Sequence, residues 1–341
     1  MRIARKLERN RRWRPWLWVV LSLAIIVEFS TPATADDWKA PREALERRII
    51  DGEFRIHYTL EGENAFPAGI AADERELAAA MGVDDLLNQL NRADQFYWER
   101  LGLTPPLDGD RYWDRGVRFI DIHILKLKRK KGSAGDAPIR YNYRHFSGSD
   151  PALTITLGNN WQKPNLTPGH ELFHSYQYGY TYFKNAWFLE GMARSMEQPF
   201  KPEEPVKTEP LPQNREQLQE VLERSYKADL LWNRLFLLCD PACAKLPLQD
   251  ESYTPPAATG FCGGELPRVV LEQLQFADKA AAKVFSIKND EWPEAQQRAE
   301  RNNPYLLLGL QRALEEQCAP LQSNPELEGF HRLLYENLPL K

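Results

Sequence analysis

Long apolar runs are scarce in this 341-residue sequence. Beyond the first forty residues no stretch is apolar enough to cross a bilayer, which takes roughly 20 residues in a helix. That excludes a protein built from several membrane helices. A basic excess is lacking too. Residues 1–35 hold seven of the 44 basic and two of the 48 acidic residues, leaving 37 basic against 46 acidic, a net of −9. A nucleic-acid partner would call for a basic face, so none is expected. Cysteine is sparse: Cys239, Cys243, Cys262 and Cys318 all lie in the last third. Cys239 and Cys243 have no second closely spaced pair to complete a metal site, and two disulfides in an oxidising compartment are the safer reading. Three pairings are possible, and the sequence does not choose among them. No internal repeat or low-complexity tract occurs. What remains is ordinary globular material, 11% aromatic and 27% charged, long enough for one large domain or two smaller ones.

The basic excess at the front belongs to a targeting pattern. Arg2 to Arg14 form a positive region, Trp16 to Val27 an apolar run, and Ala33-Thr34-Ala35 a small-x-small cleavage signal. The expectation is a secretory signal peptide over residues 1–35, cleaved before Asp36, and a periplasmic or secreted protein with no stable membrane span. Glu28 interrupts the apolar end and leaves an uncleaved anchor as the alternative.

From Phe54 to Asn159 the chain reads as mixed α and β. Phe54–Leu60 alternates like a half-buried strand, and Val117–Leu127 is an Ile-rich strand. Pro138–Arg144 and Ala152–Leu157 are further strand candidates. Asp84–Leu101 has helical spacing and stops at Gly102. The basic run Lys128–Lys131 opens a charged loop, Lys128–Asp136, and reads as a solvated turn rather than a binding patch. After Thr167 the pattern is mostly helical. Thr167-Pro168 is a good helix start, with a capping oxygen and a first-turn proline. Ala186–Glu197, Arg215–Cys239, Leu266–Phe285, Pro304–Gln317 and Leu327–Leu338 follow as helices, with a proline-rich linker at 201–213. The fold class expected is α+β: a mixed sheet and motif helix in residues 36–200, then a mainly α-helical portion, 214–341.

Within that frame His170-Glu171-Leu172-Phe173-His174 places two imidazoles four residues apart, on one helix face and able to reach one ion. Glu171 sits beside them, where a carboxylate accepts a proton from water at the ion. Leu172 and Phe173 face the other way. Zinc suits such donors, and a catalytic zinc keeps one position open. A third ligand is expected on a later element, and Glu190 supplies it, with fifteen residues between it and His174 to accommodate the end of one helix, a turn and the start of the next. Gly191 and Ala193 are small, as close helix packing requires. Glu197, seven residues on, lies on the same face and can orient a ligating imidazole. Chance alone gives HExxH in roughly one chain of this length in a hundred, so the downstream segment carries much of the weight.

HELFHSYQ at 170–177 followed by WFLEGMA at 187–193 resembles the gluzincin clan of zinc peptidases. Within it the chain is similar to secreted bacterial metalloproteases with HExFHxxQ and W-x-x-E-G-x-A segments. These often carry an HYT-x-x-GENA-like strand and an LG-x-x-PP-x-DGD-like loop upstream, and His57–Ala65 and Leu101–Asp110 match them. The resemblance covers residues 54–197, and residues 201–341 match nothing. It implies a zincin-like fold, zinc held by His170, His174 and Glu190, and Glu171 as general base and then proton donor. Two departures stand out. Arg194 occupies the place where thermolysin-like members carry an aspartate, so Glu197 must take the orienting role. No G-x-MEN segment precedes His170, which argues for an endopeptidase over an aminopeptidase.

The function expected is an exported zinc metallopeptidase acting on peptide or protein substrates. The alternative is a zincin-shaped, non-catalytic binding or scaffold protein of the cell envelope. Tyr176, Tyr178, Tyr180, Tyr182, Tyr305, Tyr335 and His331 are candidates for an oxyanion donor, with no one of them preferred. His123 reads as an interior histidine, and His57 and His145 have no partner spacing. Ala152–Leu157 has a possible role as an edge strand that pairs with extended substrate.

Overall fold

The structure is a computed structural model, in which residues 38–129, 131–201, 205–240, 261–288 and 292–339 are described. The expected signal segment and Cys243 lie outside them. Five strands form one mixed sheet: β1 (Arg47–Asp51), β2 (Phe54–Tyr58), β3 (Phe119–Leu125), β4 (Gly132–Ile139) and β5 (Ala152–Gly158), in the order β1-β2-β3-β5-β4. β1 and β2 make a hairpin whose tight turn uses Gly52 at φ +54°, a conformation that costs glycine little. β2, β3 and β5 run parallel, and β4 returns antiparallel to β5.

The helices, in chain order, are α1 (Ala40–Glu43), α2 (Arg75–Gln95), α3 (Asp110–Trp113), α4 (Thr167–Tyr180), α5 (Ala186–Ser195), α6 (Arg215–Leu222), α7 (Asp229–Cys239), α8 (Leu266–Val284), α9 (Glu294–Gln297), α10 (Asn303–Gln317) and α11 (Pro325–Glu336). The architecture is therefore α+β, a mixed sheet in the N-terminal half followed by mostly helices. Among the described residues no helix is long and apolar enough to cross a membrane.

The period-2 alternation of the strands divides the sheet into two chemically different faces. Ile56, Ile122 and Ile155 are register partners on one face, in the core with Leu86 and Leu90 of α2 and Leu172 and Phe173 of α4. The other face carries Arg55, His57, Asp121, His123, Thr154 and Thr156. It is buried as well, beneath α1 and the segment around Tyr141 and Tyr143. Buried polar groups need partners. Arg55 supplies two hydrogen bonds to Asp121, at 2.6 and 3.0 Å, and Tyr143 donates a third at 2.8 Å.

The structure departs from the sequence reading at four places. The loop expected over Lys128–Asp136 is in part a strand: β4 starts at Gly132, while Pro138–Arg144 is strand only to Ile139. Its glycines and alanines carry no apolar alternation, and its pairing with β5 makes it a strand. β5 is consequently an inner strand, and β4 is the edge. Thr167 does not cap its helix. It is the first helical residue, and its amide and hydroxyl both donate to Asn165 Oδ1, at 2.9 and 2.6 Å. The helix expected over Arg215–Cys239 breaks at Ser225, whose backbone leaves the helical region, and a 3₁₀ turn at Tyr226–Ala228 separates α6 from α7.

The described part of the expected linker is strapped to the helices after it. Leu211 is buried and donates to Glu326 Oε1 at 2.7 Å, and Asn233 donates to Lys207 O at 3.0 Å. From Trp38 onward the chain makes one compact unit. Cys239 and Cys318 form a disulfide that ties the end of α7 to the end of α10, and Cys262 is disulfide-bonded too.

Candidate active site

α4 is the scaffold of the site. Its buried flank is fixed by Leu172, Phe173 and Tyr176, and Tyr97, in a π-turn at the end of α2, donates to Gly169 O at 3.2 Å. α4 thus holds a fixed position, and its opposite flank presents His170 and His174, both buried, to a cavity of about 870 Å³.

α5 brings Glu190 to the same point. Glu190 Oε2 lies 3.2 Å from His170 Nε2 and 3.5 Å from His174 Nε2, and the three donor atoms lie within 4.8 Å of one another. Two donors each about 2.1 Å from a tetrahedral ion sit about 3.4 Å apart, so both spacings to the carboxylate are those a zinc-sized ion requires. The far ring nitrogens are held as well. His170 Nδ1 is 3.0 Å from Glu197 Oε1, whose other oxygen meets Lys201 at 3.3 Å. His174 Nδ1 is 2.9 Å from Gln177 Oε1, and Gln177 Nε2 donates to Leu189 O at 3.2 Å. With both Nδ1 atoms engaged, both Nε2 atoms aim at one position.

The charge balance favours a cation there. Burial alone works against a charged His170, yet Glu190 and Glu197 hold it up to about 9. Burial would raise Glu190, but the two imidazoles pull it well below the usual carboxylate range. Glu197 is lowered against its own burial by His170 and Lys201.

Glu171 faces the same cavity, at its β4 side. A Cβ on Gly132 would stand 2.8 Å from Glu171 Oε1 and 2.6 Å from Thr167 Cγ2, so the missing side chain is what lets the edge strand lie beside the carboxylate. Gly132, Ser133 and Ala134 of β4 form that wall.

Tyr226 closes the other side. Gly191 admits the 3₁₀ turn against α5, since a Cβ there would meet Ala228 Cβ at 2.7 Å. The turn sets the Tyr226 ring 5.8 Å from that of His170 and beside Glu190. Partial burial and the Glu190 and Glu171 carboxylates push its phenol up to about 12, so it stays a proton donor across the neutral range. Of the donors considered from sequence, Tyr178 lines the cavity. Tyr176 is spent on Asp94 at 2.6 Å, Tyr180 accepts from Thr104 N, and Tyr182 stacks on Trp292. Tyr305 packs against Phe285, His331 pairs with Glu315, and Tyr335 is exposed. Sequence reasoning missed Tyr226 because the turn carrying it was read as helix. Gln177 was visible three residues after His174 but had no partner until α5 was placed.

A second grouping, His57, Asp121 and His123, also has the composition of a metal site. Strand register makes it, since His57 and His123 are partners across β2 and β3. A positive charge is already in place: the Arg55 guanidinium spans both Asp121 oxygens and, with His57, overcomes burial to hold the carboxyl at about 2. His123 Nε2 is engaged by Tyr143 at 2.8 Å. The open cavity belongs to the His170 group, and none of these three residues lines it.

A comparison of the chain with protein-family models, with curated proteins and with solved structures finds no match. The functional reading therefore rests on the residues themselves.

Proposed function

We propose that this protein is an exported zinc-dependent peptidase of gluzincin type, cleaving within polypeptide chains. The observation that carries the reading is the convergence of His170 Nε2 and His174 Nε2 on Glu190 Oε2, at 3.2 and 3.5 Å, on the wall of a cavity that Glu171 also faces. His170, His174 and Glu190 would hold the metal. The chemistry a bound zinc supplies is Lewis acidity, which polarises a carbonyl and lowers the pKa of water toward about 7.

The chain's own groups do the rest. Glu171 takes the proton of the attacking water and passes it to the leaving amine. Tyr226 donates to the carbonyl oxygen as negative charge develops there. The outer edge of β4 offers backbone groups to an extended substrate beside Glu171. Glu197 and Gln177 keep the imidazoles oriented. A structural ion would not need Glu171, and an acid-base group beside the ligands favours catalysis over a scaffold. Export is supported by the signal-like segment and by the Cys239–Cys318 disulfide, since such bonds persist in oxidising compartments.

The test is zinc content and cleavage of casein and a peptide library by the wild type, Glu171→Gln and Tyr226→Phe. Expected are one zinc per chain in all three, loss of activity in Glu171→Gln, and kcat lower by roughly 10²–10³ in Tyr226→Phe. A wild type that binds zinc and cleaves nothing in a broad library makes this a binding protein. Unchanged zinc affinity in Glu190→Ala removes Glu190 from the ligand set.

A further inference from the structure

The cavity wall is charged in an uneven way. Its carboxylates are Glu171, Glu190 and Glu197, all at the metal position. Among the described residues, every other charged residue of the wall is a cation: Arg129, Lys131, Arg194, Lys201 and Arg298. Two of these are committed, Lys201 to Glu197 at 3.3 Å and Arg298 to Glu294 at 3.1 Å. Arg129, Lys131 and Arg194 are exposed, and the described residues give none of them an ion pair. The net charge of −9 beyond residue 35 makes three cations without an ion pair among the described residues, around one cavity, a local inversion of the molecule's charge, although Arg194 also acts on Asp229 and Glu197.

Their placement is fixed by the fold. Lys131 immediately precedes the edge strand and Arg129 stands two positions before it; Lys131 O accepts the Gly158 amide at 2.9 Å, which ties the Lys131 backbone to the sheet. Arg194 lies four residues after Glu190 on α5 and so projects from nearly the same face as that ligand. The cations therefore stand on both flanks of the reacting position, one pair beside the strand that would align a substrate and one residue beyond the third ligand. Arg129 and Lys131, from the basic run that reads as a solvated turn in the sequence, form part of the cavity wall.

We propose that this rim selects acidic polypeptides, with Arg129 and Lys131 on one side and Arg194 on the other receiving carboxylate side chains that flank the bond to be cut. The inference rests on the peptidase reading above and names its substrate class. A nucleic acid is the less favoured occupant. Three cations neutralise few phosphates on a chain of net negative charge, and a strand edge has backbone partners only for a peptide. Exposed charge pairs are individually weak and screened by salt, so the selectivity is modest and ionic-strength dependent.

The test uses the full chain carrying Glu171→Gln, loaded with zinc, and fluorescence anisotropy with two matched ten-residue peptides. One has Asp and Glu flanking its centre and the other Asn and Gln. The acidic peptide is expected to bind about tenfold tighter in low salt, with the difference shrinking in 0.5 M NaCl. Combining Arg129→Ala, Lys131→Ala and Arg194→Ala is expected to bring its affinity close to that of the neutral peptide. Equal affinities, a preference that survives the triple variant, no binding of either peptide, or tighter binding of a single-stranded oligonucleotide of equal charge each overturns the proposal. The wild-type chain on the same peptides separates the two readings. Cleavage of both at equal rates keeps the peptidase and rejects the rim. Selective binding with no cleavage of any peptide keeps the rim and rejects the peptidase.

Discussion

An imidazole can present either ring nitrogen to an ion, and what it does with the other decides which one it presents. His170 spends Nδ1 on Glu197 and His174 spends Nδ1 on Gln177, but the two partners differ in kind. A carboxylate behind a ligating ring raises its basicity as well as fixing its direction, whereas a neutral amide only fixes direction. Glu197→Gln keeps an acceptor in place and removes the charge. Zinc affinity, measured by competition with a chromogenic chelator, is expected to fall about tenfold in this variant and 10–100-fold in Glu197→Ala. An affinity unchanged in both variants would mean that Glu197 does not support the site. The His170–Glu171–His174 triplet and Glu190 are legible from sequence because helical spacing and one short connection decide where they point. Glu197 is legible for the same reason, seven residues along from Glu190. Tyr226 is not, since its position depends on the absence of a side chain at Gly191, 35 residues earlier.

At the scale of elements, β4 is the part of the site least visible in the sequence. Gly132, Ala134 and Gly135 have low strand propensity and no apolar face, and only pairing with β5 makes them a strand. Gly132 is where the strand nearly touches α4. In Gly132→Ala the new methyl group would force the Glu171 carboxylate aside, because 2.8 Å is closer than real contacts allow. Misplacing a catalytic group by about 1 Å costs on the order of 100-fold, so kcat is expected to drop by about that factor while zinc content stays at the wild-type level. Full activity in this variant would show that Glu171 has room to spare. A second element contact, between α8 and the strand-like exit of α4, has a pH signature. Asp278 accepts the Tyr182 amide at 3.0 Å and is buried. Burial raises it to about 6, against partial relief from Tyr182 N, Thr181, Arg111 and Lys279. A carboxyl whose folded pKa exceeds its unfolded value holds its proton more tightly when folded. Its contribution is therefore most favourable below about pH 4, declines as pH rises to about 6, and stays at its least favourable above that. The rise from 3.8 to about 6 corresponds to about 3 kcal/mol. Asp278→Asn removes the titration, so its Tm relative to wild type should rise between pH 4 and 6 and level off beyond. A difference in Tm that is flat from pH 4 to 8 would contradict this.

Across the whole molecule, the helices beyond residue 205 hold the site together, although that region resembles nothing by sequence and the proline-rich stretch before it reads as a linker. Lys184, nearly fully buried, bridges Asp136 of β4 at 2.9 Å and Glu294 of α9 at 2.8 Å. Asn185, at the start of α5, donates to Ala299 O and to Asn303, which also receives the Trp187 indole N–H. Trp187 stacks on Trp232 of α7 at 5.8 Å, and Trp232 donates to Trp187 O at 3.1 Å. Glu190, the proposed third ligand, is thus carried on a helix whose first turn is held by α7, α9 and α10. The sequence suggests α7 and α10 as helical from their apolar spacing, and α9 not at all. It does not reveal the contacts, which join residues 45 to 118 positions apart. The consequence is cooperativity. On the proposed reading zinc would be held by residues of α4 and α5 alone, yet its removal should weaken sheet and helices together, because a ligand that binds only the folded state stabilises everything that unfolds with its site, by about 4 kcal/mol at a thousand times Kd. Thermal unfolding of the zinc-loaded chain, followed by far-ultraviolet circular dichroism and by tryptophan fluorescence, should give coincident single transitions, both displaced downward equally by chelator. Two separated transitions, with only the earlier one sensitive to chelator, would mean that the helical part folds independently of the site. Coincident transitions would instead mean that a chain cut at residue 200 loses Glu190 as a ligand along with the helices that position it.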